Sequence, residues 1–105
     1  MTNGGAPKVR HLVLIAGRKQ KDRLLSALAE NGGHLFNIHY GRSSVKTGFL
    51  KDMIGLVHEE NKVVITCLMS AGNVDKIFDM LVRDFQFDKP NTGIAYTIPL
   101  ERLCY

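Results

Sequence analysis

Two strand-helix-strand units in succession predict an α+β domain of the ferredoxin-like, split βαβ kind. Its sheet is four-stranded and antiparallel, with two helices on one face. Three observations carry this reading. Val9–Ala16 (VRHLVLIA) and Lys62–Met69 (KVVITCLM) are apolar runs of strand length. Each is followed by a segment whose apolar residues recur at helical spacing. A further short strand pattern follows each helix.

The elements follow in order. Val9–Ala16 is bounded by Gly17 and reads as a central strand. In Gln20–Asn31, Leu24, Leu25 and Leu28 share one face, with Asp22 and Arg23 off it, and Asn31-Gly32-Gly33 supplies the C-cap. His34–Tyr40 alternates, with Phe36, Ile38 and Tyr40 against Asn37 and His39, the pattern of a half-buried strand. Gly41–Lys46 is a polar loop. Leu50, Met53, Ile54 and Val57 then stand at i, i+3, i+4 and i+7, which predicts a short helix over Thr47–Ile54, with a strand over Met53–His58 as the alternative. Glu59–Asn61 reads as a turn before the strand Lys62–Met69. Asn73 is the expected N-cap of a helix that buries Val74, Ile77, Phe78, Leu81, Val82 and Phe85. Gln86–Thr92 is a loop containing Lys89-Pro90. The turn Asn91-Thr92-Gly93 feeds a last strand, Ile94–Ile98, whose hydrogen-bond ladder Pro99 breaks.

The 105 residues fit one domain: 1–8 as a flexible N-terminus, with Met1–Pro7 small and polar, and 9–105 as the folded unit. Hydrophobic residues make up 45%, enough for a core, although a chain this short buries only about 60–70% of its unfolded surface and gains from oligomerisation. The formal charge of +4 is a mild excess that does not argue for nucleic acid. Without a secretory pattern or a long apolar span, the chain reads as soluble, cytoplasmic and not inserted in a membrane. Cys67 and Cys104 show no metal spacing, and Cys67 sits in an apolar run as a buried thiol.

Chemistry is sparse. Gly41-Arg42-Ser43-Ser44 gathers backbone donors, two hydroxyls and a guanidinium, which suits an anion and equally suits a polar loop capping a helix. Asn91-Thr92-Gly93 fits a ligand cradle or a plain turn, and Lys89 a ligand contact or a solvated charge. Arg18, Lys19, Lys21 and Arg23 stand at the start of the first helix, against its dipole, and read as a solvated face. The four histidines do not converge in spacing, and Ser43 and Ser44 have no visible base partner. Fold alone does not supply a function.

The closing stretch Asn91-Thr92-Gly93-Ile94-Ala95-Tyr96-Thr97-Ile98-Pro99-Leu100-Glu101-Arg102-Leu103, placed after two strand-helix-strand units, resembles the final loop and strand of the PII nitrogen-regulator superfamily. The resemblance covers residues 9–103. It implies a T-loop at 41–60, holding the short helix, and a B-loop at 88–93. Two departures point to the divergent, PII-like group. Residues 41–60 contain no tyrosine, so the family's covalent modification is not expected. Ile94 stands where the family's phosphate-binding lysine enters the last strand, and of the family's trailing arginines only Arg102 is near. The resemblance implies a non-enzymatic homotrimer for signal transduction. It would bind an adenine nucleotide between subunits, with AMP, ADP or a cyclic nucleotide ahead of ATP. Ligand binding would shift residues 41–60 toward or away from a regulated protein, a transporter or an enzyme. The site it implies comprises Gly41, Arg42, Ser43, Ser44, Lys89, Asn91, Thr92, Gly93 and Arg102. A metal-binding or enzymatic trimer on the same fold, and a structural module without ligand, are the alternatives.

Overall fold

A computed structural model describes residues 8–42, 61–90, 92–102 and 104. The expected short helix over Thr47–Ile54 and the alternative strand over Met53–His58 lie outside the described residues. Among the described residues four strands and two helices follow one another: β1 (Val9–Gly17), α1 (Lys21–Glu30), β2 (His34–Arg42), β3 (Asn61–Ser70), α2 (Val74–Phe85) and β4 (Gly93–Pro99). Single 3-10 turns, Arg18–Gln20 and Ala71–Asn73, lead into the two helices. The sheet order is β2-β3-β1-β4, and every neighbouring pair is antiparallel. The two most apolar runs therefore occupy the centre, as their continuous hydrophobicity demands.

Pairing of Leu12 with Cys67, Leu14 with Ile65 and Ala16 with Val63 puts these side chains on the helix-covered face. With Met69 they meet Leu24 and Leu28 of α1 and Ile77, Met80, Leu81 and Phe85 of α2 in one buried cluster. Each fully buried leucine contributes about 1.5–3 kcal/mol by leaving water. α1 ends as its sequence predicts. The Asn31 side-chain amide donates to the Ala27 carbonyl at 2.7 Å, and Gly32 takes φ 98°, a left-handed value that a side chain would resist.

Several local expectations change. β2 runs on through Gly41 and Arg42, which pair with Lys62 and Asn61, so Asn61 opens β3 instead of belonging to a turn. A bulge between His34 and Asn37 throws Leu35 out to solvent at φ 55°. Asn73 does not cap α2 with its side chain. The 3-10 turn intervenes, and the Ser70 hydroxyl accepts from the Gly72 N–H instead. On α2, Met80 is buried and Val82 is exposed. Met80 joins the buried cluster that holds Leu24 and Leu28 of α1, whereas Val82 is outside it.

Among the described residues the sheet's other face carries no helix. Register places Val13, Ile15, Val64, Leu68, Ile94, Tyr96 and Ile98 there, together with His11, Asn37, His39 and Thr66. Tyr96 and Ile98 are each 45% exposed. Among the described residues no helix is long and apolar enough to cross a membrane.

Cys67 is buried, and desolvation pushes its thiol up from 9.0 to about 11. Because the folded value lies above the unfolded one, the stabilisation is complete below pH 9.0 and is lost as pH rises through about 11. Cys104 is exposed. A disulfide thiol reagent at pH 8 should therefore titrate one thiol quickly in the native protein and the second only on denaturation. Two fast thiols would contradict this burial.

Candidate functional site

All the chain's crossings at one end of the sheet converge. β1 ends there at Gly17, opposite Lys62; β2 ends at Arg42, opposite Asn61; and β4 begins at Gly93, opposite Ala16. α1 starts at this end and α2 finishes there. Between them lies an open cleft of about 970 Å³, room enough for a small-molecule ligand. The turn after β1 supplies Arg18, Lys19 and Gln20, and α1 adds Arg23. The opposite wall comes from Asp84, Phe85 and Gln86 at the end of α2, with Thr92 and Asn61 completing it.

Three cations of this end lie over aromatic rings. The Arg18 guanidinium lies 4.9 Å from the centre of the Tyr40 ring, and the Lys21 ammonium 5.6 Å from it. A hydrogen bond from Lys21 to the Tyr40 hydroxyl, helped by Asp22 at 3.5 Å, holds Lys21 above its ordinary value. The Arg23 guanidinium lies 4.8 Å from the centre of the Phe85 ring, and its Nη1 donates to Gln20 Oε1 at 3.0 Å. Asp84 accepts two contacts from Arg83, at 3.1 and 3.2 Å, which lower its carboxyl from the usual range.

α2 closes with Gln86 at φ 58°, ψ 40°, a left-handed cap more often given to glycine. The Phe87 N–H returns to the Leu81 carbonyl at 3.2 Å, which turns the chain toward β4. Phe87 then lies across Gly93, where a Cβ would stand 2.5–2.9 Å from the ring. The glycine is thus used for close packing by an aromatic side chain.

Of the residues expected at the site, Thr92 lines the cleft and Gly93 adjoins it. The Arg42 backbone lies opposite Asn61 at the rim, and Gly41 opposite Lys62. Lys89 is exposed in the turn before β4, where its N–H donates to the Gln86 carbonyl at 3.0 Å; it is not part of the lining. Arg102 follows the far end of β4, where Pro99 pairs with Arg10, and so lies at the opposite end of the sheet. Ser43, Ser44 and Asn91 lie outside the described residues. Ile94 pairs with Ile15 on the helix-free face, so a lysine there would stand in an apolar row. Sequence reasoning missed Arg18, Arg23, Asn61 and Gln86 as cleft residues. The available signal was a set of cations at a helix start, where they oppose the dipole.

The sequence matches no family model and no curated protein at a significant level. Solved structures do match. CPII from Thiomonas intermedia K12, bound to ADP, AMP and acetate, superposes with TM-score 0.68 at 13% identity, over 93% of this chain and 93% of that one. A PII-like signalling protein from Thermus thermophilus gives TM-score 0.65 at 15% identity, over 88% of this chain and 85% of that one. Arabidopsis thaliana PII bound to citrate gives TM-score 0.63 at 16% identity, over 90% of this chain and 79% of that one. With its split βαβ order and two helices on one face of an antiparallel sheet, the chain has the fold of the PII-like signalling proteins.

Proposed function

We propose that this protein is a non-enzymatic regulator. It assembles as a homotrimer in the cytoplasm, takes an adenine nucleotide at the cleft beside Arg18, Arg23 and Thr92, and controls a partner protein, a transporter or an enzyme. The observation that carries the reading is the convergence of a cation-rich cleft with the ends of β2 and β3. A ligand there sits where the segment between those strands departs, so its binding energy can bias that segment toward one state. CPII, which shares the fold, was solved with ADP and AMP. The sheet face opposite α1 and α2 supports assembly, because Tyr96 and Ile98, exposed there beside Ile15 and Ile94, gain by meeting another copy. Assembly also offers each cleft residues from the far end of a neighbouring β4, Arg102 among them. Gly41, Arg42, Ser43, Ser44, Lys89, Asn91 and Gly93 complete the proposed ligand set from the adjoining connections.

The test is calorimetry with AMP, ADP and ATP. AMP or ADP should bind ahead of ATP, because each further phosphate loses solvation and position 94 offers it no ammonium. A missing charge-assisted contact corresponds to roughly ten- to a hundred-fold in affinity. Arg42→Ala should weaken the bound nucleotide. ATP binding more tightly than AMP, or no nucleotide binding at all, would count against this function.

A further inference from the structure

The two arginines of the cleft are presented in the same way. Arg18 lies over Tyr40 and Arg23 over Phe85, at 4.9 and 4.8 Å from the ring centres. A guanidinium laid on an aromatic ring spends its face on the stack. The N–H groups along its edge remain available to an anion. Arg23 gives one N–H to Gln20, which aims the fork, and a guanidinium has five such donors. Asp84, the carboxylate of the lining, is engaged by Arg83 through two contacts and also feels the Arg23 charge, so one carboxylate faces three cations and Arg83. Arg18, Lys19 and Arg23 therefore stand as an excess of positive charge along one side of the cleft.

The start of α1 adds to this. Neither the 3-10 turn nor α1 receives a side-chain cap, and the acidic residue in the first turn of α1, Asp22, lies 3.5 Å from Lys21. Cations at an uncapped helix start are unfavourable alone and become favourable when an anion joins them.

We propose that Arg18 and Arg23 form the anion grip of this cleft and hold a phosphomonoester group, with Lys19 adding charge beside them. This deepens the nucleotide reading and rests on the same cleft. It assigns recognition to the first helical turn, independently of the connection before β4. Phosphate suits the arrangement better than carboxylate. Its terminal oxygens point in three directions and can meet two forks and an ammonium from separate positions, whereas a carboxylate is planar and matches a single fork.

The experiment measures binding of inorganic phosphate, AMP, adenosine and citrate to the full chain by calorimetry. It compares the unmodified protein with Arg18→Ala, Arg23→Ala, the double variant, and Lys76→Ala as a charge control on exposed α2. Thermal unfolding confirms that each variant is folded. Each single substitution should weaken AMP about tenfold, the double variant should lose inorganic phosphate, and Lys76→Ala should change neither. If the alanine variants do not fold, Arg18→Lys and Arg23→Lys serve instead. They keep the charge and lose the fork, and should also weaken AMP. Phosphate binding that the double variant abolishes, with no binding of AMP or adenosine to the unmodified protein, upholds the grip and removes the nucleotide. AMP bound equally by the unmodified protein and the double variant overturns the grip and leaves the nucleotide reading standing. Citrate binding ahead of phosphate, or no anion binding at all, also overturns it.

Discussion

Leu14→Ala is expected to lower the free energy of unfolding by about 2–5 kcal/mol. Leu14 is fully buried, sits in a central strand between Ile65 and Ala95, and belongs to the cluster shared by both helices. Truncation removes its transfer energy and leaves a cavity that two paired strands cannot close. Domains of this size have about 5–15 kcal/mol of stability in all, so the melting temperature should fall by roughly ten degrees or more. Ile15→Ala is the informative comparison. Ile15 is half-buried on the helix-free face. Its loss should depend on protein concentration if that face is a subunit contact, while the Leu14 loss should persist at every concentration. A urea midpoint unchanged by Leu14→Ala would contradict the core described for this fold.

Ile94→Lys should break the assembly. The β4 register sets Ile94 beside Ile15, and Ile15 beside Val64, in an apolar row. An ammonium there would have to be desolvated against a neighbouring copy without a partner, which costs several kcal/mol per site. A symmetric trimer would carry that cost three times. Light scattering at micromolar concentration should show the unmodified protein as three chains and the variant near the 11.7 kDa of one. An unmodified protein that is already monomeric would sink the trimer, and a variant that stays trimeric would sink this role for the face.

Some of this was legible in the residues. The runs Val9–Ala16 and Lys62–Met69 are apolar enough to be central in any sheet, and the strands they form, β1 and β3, are central here. Leu24 with Leu28, and Ile77 with Leu81, lie one helical turn apart and can face only one way. Where the spacing admitted two flanks, as for Met80 and Val82, the choice depended on which side met the shared core. The extension of β2 through Arg42 was hidden because polar residues join a ladder once a partner strand offers backbone groups, and Asn61 and Lys62 do so.

The cleft was the least legible part. By itself the sequence determined the order of the described elements, the buried stripe of Leu24 and Leu28 on α1 and the burial of Cys67, because period and hydrophobicity are local properties. Only the tertiary structure decided that Arg18 stacks on Tyr40 and Arg23 on Phe85, that Arg83 occupies Asp84, and that Thr92 and Gln86 come to the same opening. The stacking pairs and the opening join residues far apart along the chain. Whether a cation is merely solvated or is aimed into a cleft depends on what packs beside it, and only the antiparallel register brings those neighbours together.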